Sequence, residues 1–88
     1  MITKSFTIRN KLGIHARPAA QFVRAVSKFA SDVSVEREGE RVDGKSIMGL
    51  MMLAVGCGMV ITVTVNGPDE GESMQAIESL IDRKFDED

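Results

Sequence analysis

One histidine occurs in the chain, in the stretch GIHARPAA. An imidazole can serve as nucleophile, proton carrier or metal ligand. Its sequence neighbours favour the first of these. Ala16 and Arg17 fall at the first positions of an expected helix, where backbone N–H groups lack intrahelical acceptors. Pro18 falls in the first turn, where its missing N–H removes no helical bond and its fixed φ stiffens the backbone. Arg17 and Arg24 are read as bringing positive charge to that end, where cations are ordinarily disfavoured; the placement makes sense if an anion visits. The same surroundings are expected to leave the ring uncharged and nucleophilic. A neutral nucleophile beside an anion cradle suits reversible phosphorylation of His15. The plainer alternatives are a helix cap or an exposed loop residue. No carboxylate, serine or second histidine lies close enough in sequence to suggest a hydrolase triad. One histidine with the distant Cys57 makes no metal-ligand set.

A second stretch, GERVDGKS over residues 39–46, matches the phosphate-cradling pattern G-x-x-x-x-G-K-[ST]. Arg41 and Val42 are better used as the return strand of a hairpin, and the following helix is short and interrupted by Gly49. No later apolar strand ends in an aspartate placed for magnesium. The match is therefore read as coincidental, and Ser46 as an N-cap whose oxygen accepts a backbone N–H. A regulatory phosphate on the same oxygen is compatible with that role, because a helix start tolerates anionic charge.

These residues need elements to position them. ITKSFTI alternates as a strand with Ile2, Phe6 and Ile8 on one face and Lys4 as the exception. From Ala16 a helical stripe runs through Ala19, Phe22, Val23 and Val26 to Phe29 or Ala30. DVSVE and RVD flank Gly39 as a hairpin, helical propensity returns over SIMGLMMLAV, and MVITVTV is the strongest strand signal. Asp69 and Glu72 have the spacing of a capping box, ahead of a helix with Met74, Ile77 and Ile81 on its apolar face. The order is β-α-β-β-α-β-α. Polar alternation within the strands favours an antiparallel sheet with one wet face and helices packed on the other, an α+β two-layer sandwich. The acidic ending FDED is expected to be a frayed, solvated tail.

On a helical wheel Ile47, Met48, Met51 and Met52 share one arc, opposite Leu50 and Leu53. Both arcs are hard to bury in a small domain, so the methionine side is expected to be partly exposed, as partner surfaces often are. Eighty-eight residues make one domain, 1–88. A net charge of −2 supplies no basic field for nucleic acid, and the absence of Trp and Tyr leaves few stacking platforms. A single cysteine fits a reducing compartment, and neither a signal peptide nor a membrane span is visible; a cytoplasmic location is expected.

Taken together, NKLGIHARPAAQFV and GKSIMGLMMLAV resemble the histidine-containing phosphocarrier protein family, HPr, over essentially the whole chain. The FDED ending and NKLGIHARPA resemble the nitrogen-related branch of that family. The resemblance implies an open-faced β-sandwich, a four-stranded antiparallel sheet covered by three helices. It implies a carrier without cofactor or metal, not an autonomous enzyme. His15 would take a phosphoryl group from phosphoenolpyruvate through enzyme I and pass it to an enzyme IIA-type acceptor. Arg17 would contact that group, with phosphate binding at Ala16, Arg17 and Pro18. Ser46 would be the site of an HPr kinase/phosphorylase. Ala20, Arg24, Ile47, Met48 and Met51 would form the docking patch, on a monomer that neither binds nucleic acid nor enters a membrane. Leu12 stands where many sugar-type carriers have a small polar residue, Ala16 where some have a hydroxyl, and Gly49 where many have a larger side chain. Side-chain support for the phosphate is thus expected to be thinner and the second helix less stable. Two other readings remain: a regulatory binding module controlled at Ser46, which docks a transcription factor or enzyme, and a nucleotide binder using residues 39–46.

Overall fold

Seven regular elements run in the expected order in a computed structural model, which describes residues 1–87: β1 (Ile2–Thr7), α1 (Ala16–Val26), β2 (Asp32–Arg37), β3 (Glu40–Asp43), α2 (Ile47–Met52), β4 (Val60–Asn66) and α3 (Glu70–Asp82). The strands form one antiparallel sheet in the order β1-β4-β2-β3. Period-two alternation divides it. Ile61, Val63 and Val65 of β4 and Val33 and Val35 of β2 are buried under the helices, which contribute Phe22, Val26, Leu50, Met74, Ile77 and Ile81. The opposite face is a hydroxyl ladder, in which Thr3 bonds Thr64 and Ser5 bonds Thr62, each at 3.2 Å. This is an α+β open-faced sandwich.

The β2–β3 hairpin turns on Glu38 and Gly39, both at positive φ (50° and 84°), the two-residue turn whose twist matches that of paired strands. Gly39 and the strand residues Arg41 and Val42 are therefore hairpin parts, not a phosphate loop. Lys4, the exception in β1, pairs with Val63 and so shares the helix-covered face. It is tolerated there because β1 is an edge strand: the side chain reaches outward to Glu78 of α3, with Nζ 3.5 Å from Oε1.

Two expectations change for one reason, and a third for another. α1 ends at Val26 rather than reaching Phe29 or Ala30, and Asp69 makes no side-chain cap to its own helix. The Asp69 carboxylate instead accepts from the Ala30 N–H (2.9 Å), the Ser31 N–H (2.9 Å) and the Ser31 hydroxyl (2.5 Å). Three donors presented by the turn into β2 outcompete the local capping box, and Glu72 stays exposed. α2 is also shorter than its propensity suggests. It closes at Ala54, which takes a left-handed φ of 53°, while Arg37 donates to the Leu53 carbonyl at 2.9 Å and Leu53 and Val55 anchor in the core.

The Ser31 hydroxyl most of all, then the Ala30 and Ser31 amides, holds the Asp69 carboxyl below its ordinary range, against the opposing effect of burial. A lowered folded-state value means that the stabilisation is complete above the ordinary aspartate range and is lost as pH falls through the lowered value. Asp69→Asn is expected to lower thermal stability at neutral pH and to flatten the acid limb of the stability–pH curve. Parallel acid limbs in wild type and variant would remove Asp69 as the tie between α3 and β2.

Candidate functional site

The loop before α1 is held from below. Gly13 sits at φ +69°, and a Cβ there would lie 2.2 Å from the Val55 carbonyl oxygen, so the position excludes any side chain. The next residue, Ile14, donates its N–H to that same oxygen at 2.9 Å. Asn10, fully buried, sends its Nδ2 to the Gly13 carbonyl at 2.6 Å and to Glu87 Oε1 at 3.0 Å. Both partners are acceptors, so the orientation of this amide is forced.

His15 follows as the N-cap of α1, with extended backbone (φ −89°, ψ −168°). Its carbonyl accepts from the Ala19 N–H at 3.0 Å, but its ring makes no cap bond, which excludes the capping alternative for the side chain. Among the described residues the N–H groups of Ala16 and Arg17 donate to no protein acceptor, as expected for a first turn. Both residues are exposed. Pro18 is buried and has no N–H, so it stiffens the turn and cannot donate to an anion; its placement among phosphate-binding residues is corrected. Arg24 is also corrected. It lies in the last turn of α1, nine residues from His15 and so about 13 Å along the axis, too far to charge the helix start.

The ring points instead to a carboxylate that sequence proximity did not suggest. His15 Nε2 lies 2.9 Å from Glu87 Oε2 and 3.2 Å from Oε1. The His15 side chain is 37% exposed and that of Glu87 15%, so the ring is neither sealed in the core nor free in solvent. The chain end is therefore not a frayed tail through Glu87; Asp88 lies outside the described residues. Lys84, Phe85 and Asp86 form one helical turn with φ of 54°, 55° and 58°, and it is left-handed. Left-handed backbone costs about 1–2 kcal/mol per non-glycine residue. It is retained because Phe85, 1% exposed, fills the core and delivers Glu87 to Asn10 and His15. The Asn10 amide most of all, then His15 and the Arg17 charge, hold the Glu87 carboxyl below its ordinary range against the opposing effect of burial.

The remaining predicted residues lie on α1 and at α2. Ser46 caps α2, its Oγ accepting from the Gly49 N–H at 3.0 Å. Gly49 does more than weaken that helix: a Cβ there would sit 3.2 Å from both Val42 Cβ and Ser46 Oγ, so glycine lets α2 rest close on β3. Met48 is 71% exposed and Ile47, Met51 and Met52 are exposed with it, while Leu50 is fully buried. Ala20, Val23, Arg24, Lys28 and Ile47 border an open groove of about 620 Å³ between α1 and α2. Ala20, Arg24 and Ile47 thus come together, with Met48 and Met51 on the adjoining arc. Among the described residues no group of three or more His, Cys, Asp or Glu could hold a metal.

The family described as the PTS HPr component phosphorylation site matches residues 2–83. The chain belongs to the HPr family. It is 46% identical over 88 residues to the phosphocarrier protein HPr of Treponema pallidum (strain Nichols), covering 100% of each. It is 43% identical over 84 residues to the HPr-like protein Crh of Halalkalibacterium halodurans, covering 96% of this chain and 100% of the relative. The crystal structure of HPr-C-His from Thermoanaerobacter tengcongensis matches with a TM-score of 0.96 at 45% identity, over 100% of this chain and 99% of the other. HPr proteins are phosphocarriers of the phosphotransferase system rather than catalysts.

Sequence patterning gives Asn10 no role and puts Phe85 and Glu87 in a solvated tail. A phenylalanine within FDED was the one available signal, since an aromatic ring has little reason to sit in a solvated tail. Gly13→Ala is expected to destabilise this HPr fold by about 2 kcal/mol or more, through the steric overlap with Val55 and the left-handed backbone. Denaturant unfolding measures it; a loss under 0.5 kcal/mol, roughly that of a neutral surface change, would show that the loop relaxes at no cost.

Proposed function

We propose that this chain is a phosphoryl carrier in which His15 accepts a phosphoryl group from phosphoenolpyruvate-charged enzyme I and hands it to an enzyme IIA-type acceptor. The supporting observation is a half-exposed imidazole at a helix start whose Ala16 and Arg17 amides have no protein acceptor among the described residues. Glu87 occupies Nε2, so Nδ1 is the nitrogen left to react. Its lone pair bonds phosphorus as the donor's bond to phosphorus breaks and the electron pair leaves with the donor. Onward transfer reverses this: the acceptor's lone pair bonds phosphorus and the Nδ1–P pair returns to the ring. In this reading the two free amides and the Arg17 guanidinium take up charge on the phosphoryl oxygens.

The exposed arc of Ile47, Met48 and Met51, with Ala20 and Arg24 across the groove, is the docking surface in this reading. Methionine suits a surface that must fit two partners in turn. Ser46 lies at the start of the same helix, so a phosphate there from an HPr kinase would set negative charge against the patch. Every group the reading uses belongs to one chain, so a monomer suffices for it. Crh-named relatives favour a second reading, a regulatory module controlled at Ser46.

Incubation with enzyme I and phosphoenolpyruvate, followed by intact-mass analysis, is expected to add one acid-labile phosphate that His15→Ala abolishes. Phosphate appearing only at Ser46, with ATP and an HPr kinase, supports the regulatory module instead. Arg17→Glu is expected to slow phosphorylation about 100-fold with the fold intact, by placing a like charge at the phosphoryl site; unchanged kinetics would remove Arg17 from it. Ser46→Asp keeps a competent helix cap while adding the charge, so a several-fold rise in KM for enzyme I at unchanged thermal stability is expected. An unchanged KM would separate Ser46 from docking.

A further inference from the structure

The contact between His15 and Glu87 joins residues 72 apart in sequence and is built with more care than a surface ion pair. Glu87 is carried on a strained turn anchored by Phe85. Its two oxygens are divided between donors: Asn10 Nδ2 lies 3.0 Å from Oε1, and His15 Nε2 lies 2.9 Å from Oε2. Asn10 itself is fully buried, and its other Nδ2 hydrogen is committed to Gly13 in the loop that leads to His15. The carboxylate and the imidazole are thus located by one buried side chain.

We propose that Glu87 is a positioning residue for the phosphoryl-accepting imidazole: its carboxylate, aimed by Asn10, keeps the proton on Nε2 and so keeps the lone pair on Nδ1. The inference rests on the carrier reading above and deepens it. An acceptor oxygen at 2.9 Å requires a hydrogen on Nε2, and the neutral ring with that hydrogen is bare at Nδ1. A partner on one ring nitrogen sets the tautomer at the other. When Nδ1 bonds phosphorus, Nε2 keeps its hydrogen and the ring becomes cationic beside the carboxylate. When the phosphoryl group departs, the Nδ1 pair is restored and the ring is neutral again. No proton enters or leaves in either direction, so neither partner has to supply a base.

Glutamine cannot replace this group. With its oxygen at the Oε1 position its NH2 stands where Oε2 lies 2.9 Å from Nε2 and opposes a hydrogen there, and in the other orientation the NH2 faces the Asn10 donor. The test is 15N NMR of the His15 ring in the full chain, together with enzyme I kinetics, for wild type, Glu87→Gln and Glu87→Ala. Wild type is expected to show the Nε2–H form alone. Both variants are expected to show mixed tautomers and a fall of about 10-fold in the maximal phosphorylation rate, with KM for enzyme I little changed. Phe85 remains to fill the core, and matching methyl spectra confirm the fold. A wild-type ring protonated at Nδ1 overturns the proposal, as do variants with wild-type spectra and rates. A rise in KM alone also overturns it, since that places Glu87 in docking. If wild type accepts no phosphate at His15, the carrier reading fails, and this proposal falls with it.

Discussion

One buried amide holds the centre of this molecule together. Asn10 has two N–H donors and spends them on two segments that would otherwise have no reason to meet: the Gly13 carbonyl in the loop before α1, and the Glu87 carboxylate at the far end of the chain. The Asn10 Oδ1 has no hydrogen-bond partner among the described residues, but each N–H has one, and an N–H left unpaired in the interior costs about 1–3 kcal/mol. Pairing it fixes the loop from within and the chain end from without. His15, next after that loop, then finds a carboxylate at its Nε2 and open amides at the helix start ahead of it. A helix N-terminus alone would have presented the imidazole without fixing which nitrogen it offers.

The sheet and helices serve this arrangement by keeping each end of α1 in place. At the start, Gly13 packs against Val55 so closely that backbone touches backbone. At the finish, Asp69 binds the turn into β2 and stops the helix at Val26. Both contacts are made by residues far away in sequence, so the direction of α1 is set by its neighbours rather than by its own caps. Strain follows the same pattern. Three successive left-handed residues before Glu87 are sustained by a phenylalanine that the core needs and by hydrogen bonds that the site needs.

Charge and apolar surface lie side by side along the groove between α1 and α2. The chain is slightly acidic overall, with a net charge of −2, yet Arg24 in the last turn of α1 and Lys28 just beyond it border the groove that Ile47 of the exposed α2 arc also lines. That arc is exposed because α2 is a six-residue helix with Leu50 pointing inward and no further layer above it. Its methionines are left for something other than the core.

Much of this was legible from local rules. Alternation in MVITVTV and DVSVE specified the buried valines, the helical stripe through Ala19, Phe22 and Val26 specified the inner face of α1, and the wheel of α2 separated Leu50 from Met48, because these periods reflect backbone geometry that acts within a few residues. His15 at a helix start, Ser46 as a cap and the hairpin at Gly39 were equally local. Tertiary structure decided the rest: that Asp69 leaves its own helix, that Arg24 stands a whole helix away from His15, and that residues 85–87 fold back to place Glu87 on the ring. No period or motif encodes a hydrogen bond across 72 residues. It exists because burying Phe85 and pairing the Asn10 N–H groups bring two segments far apart in sequence to one point.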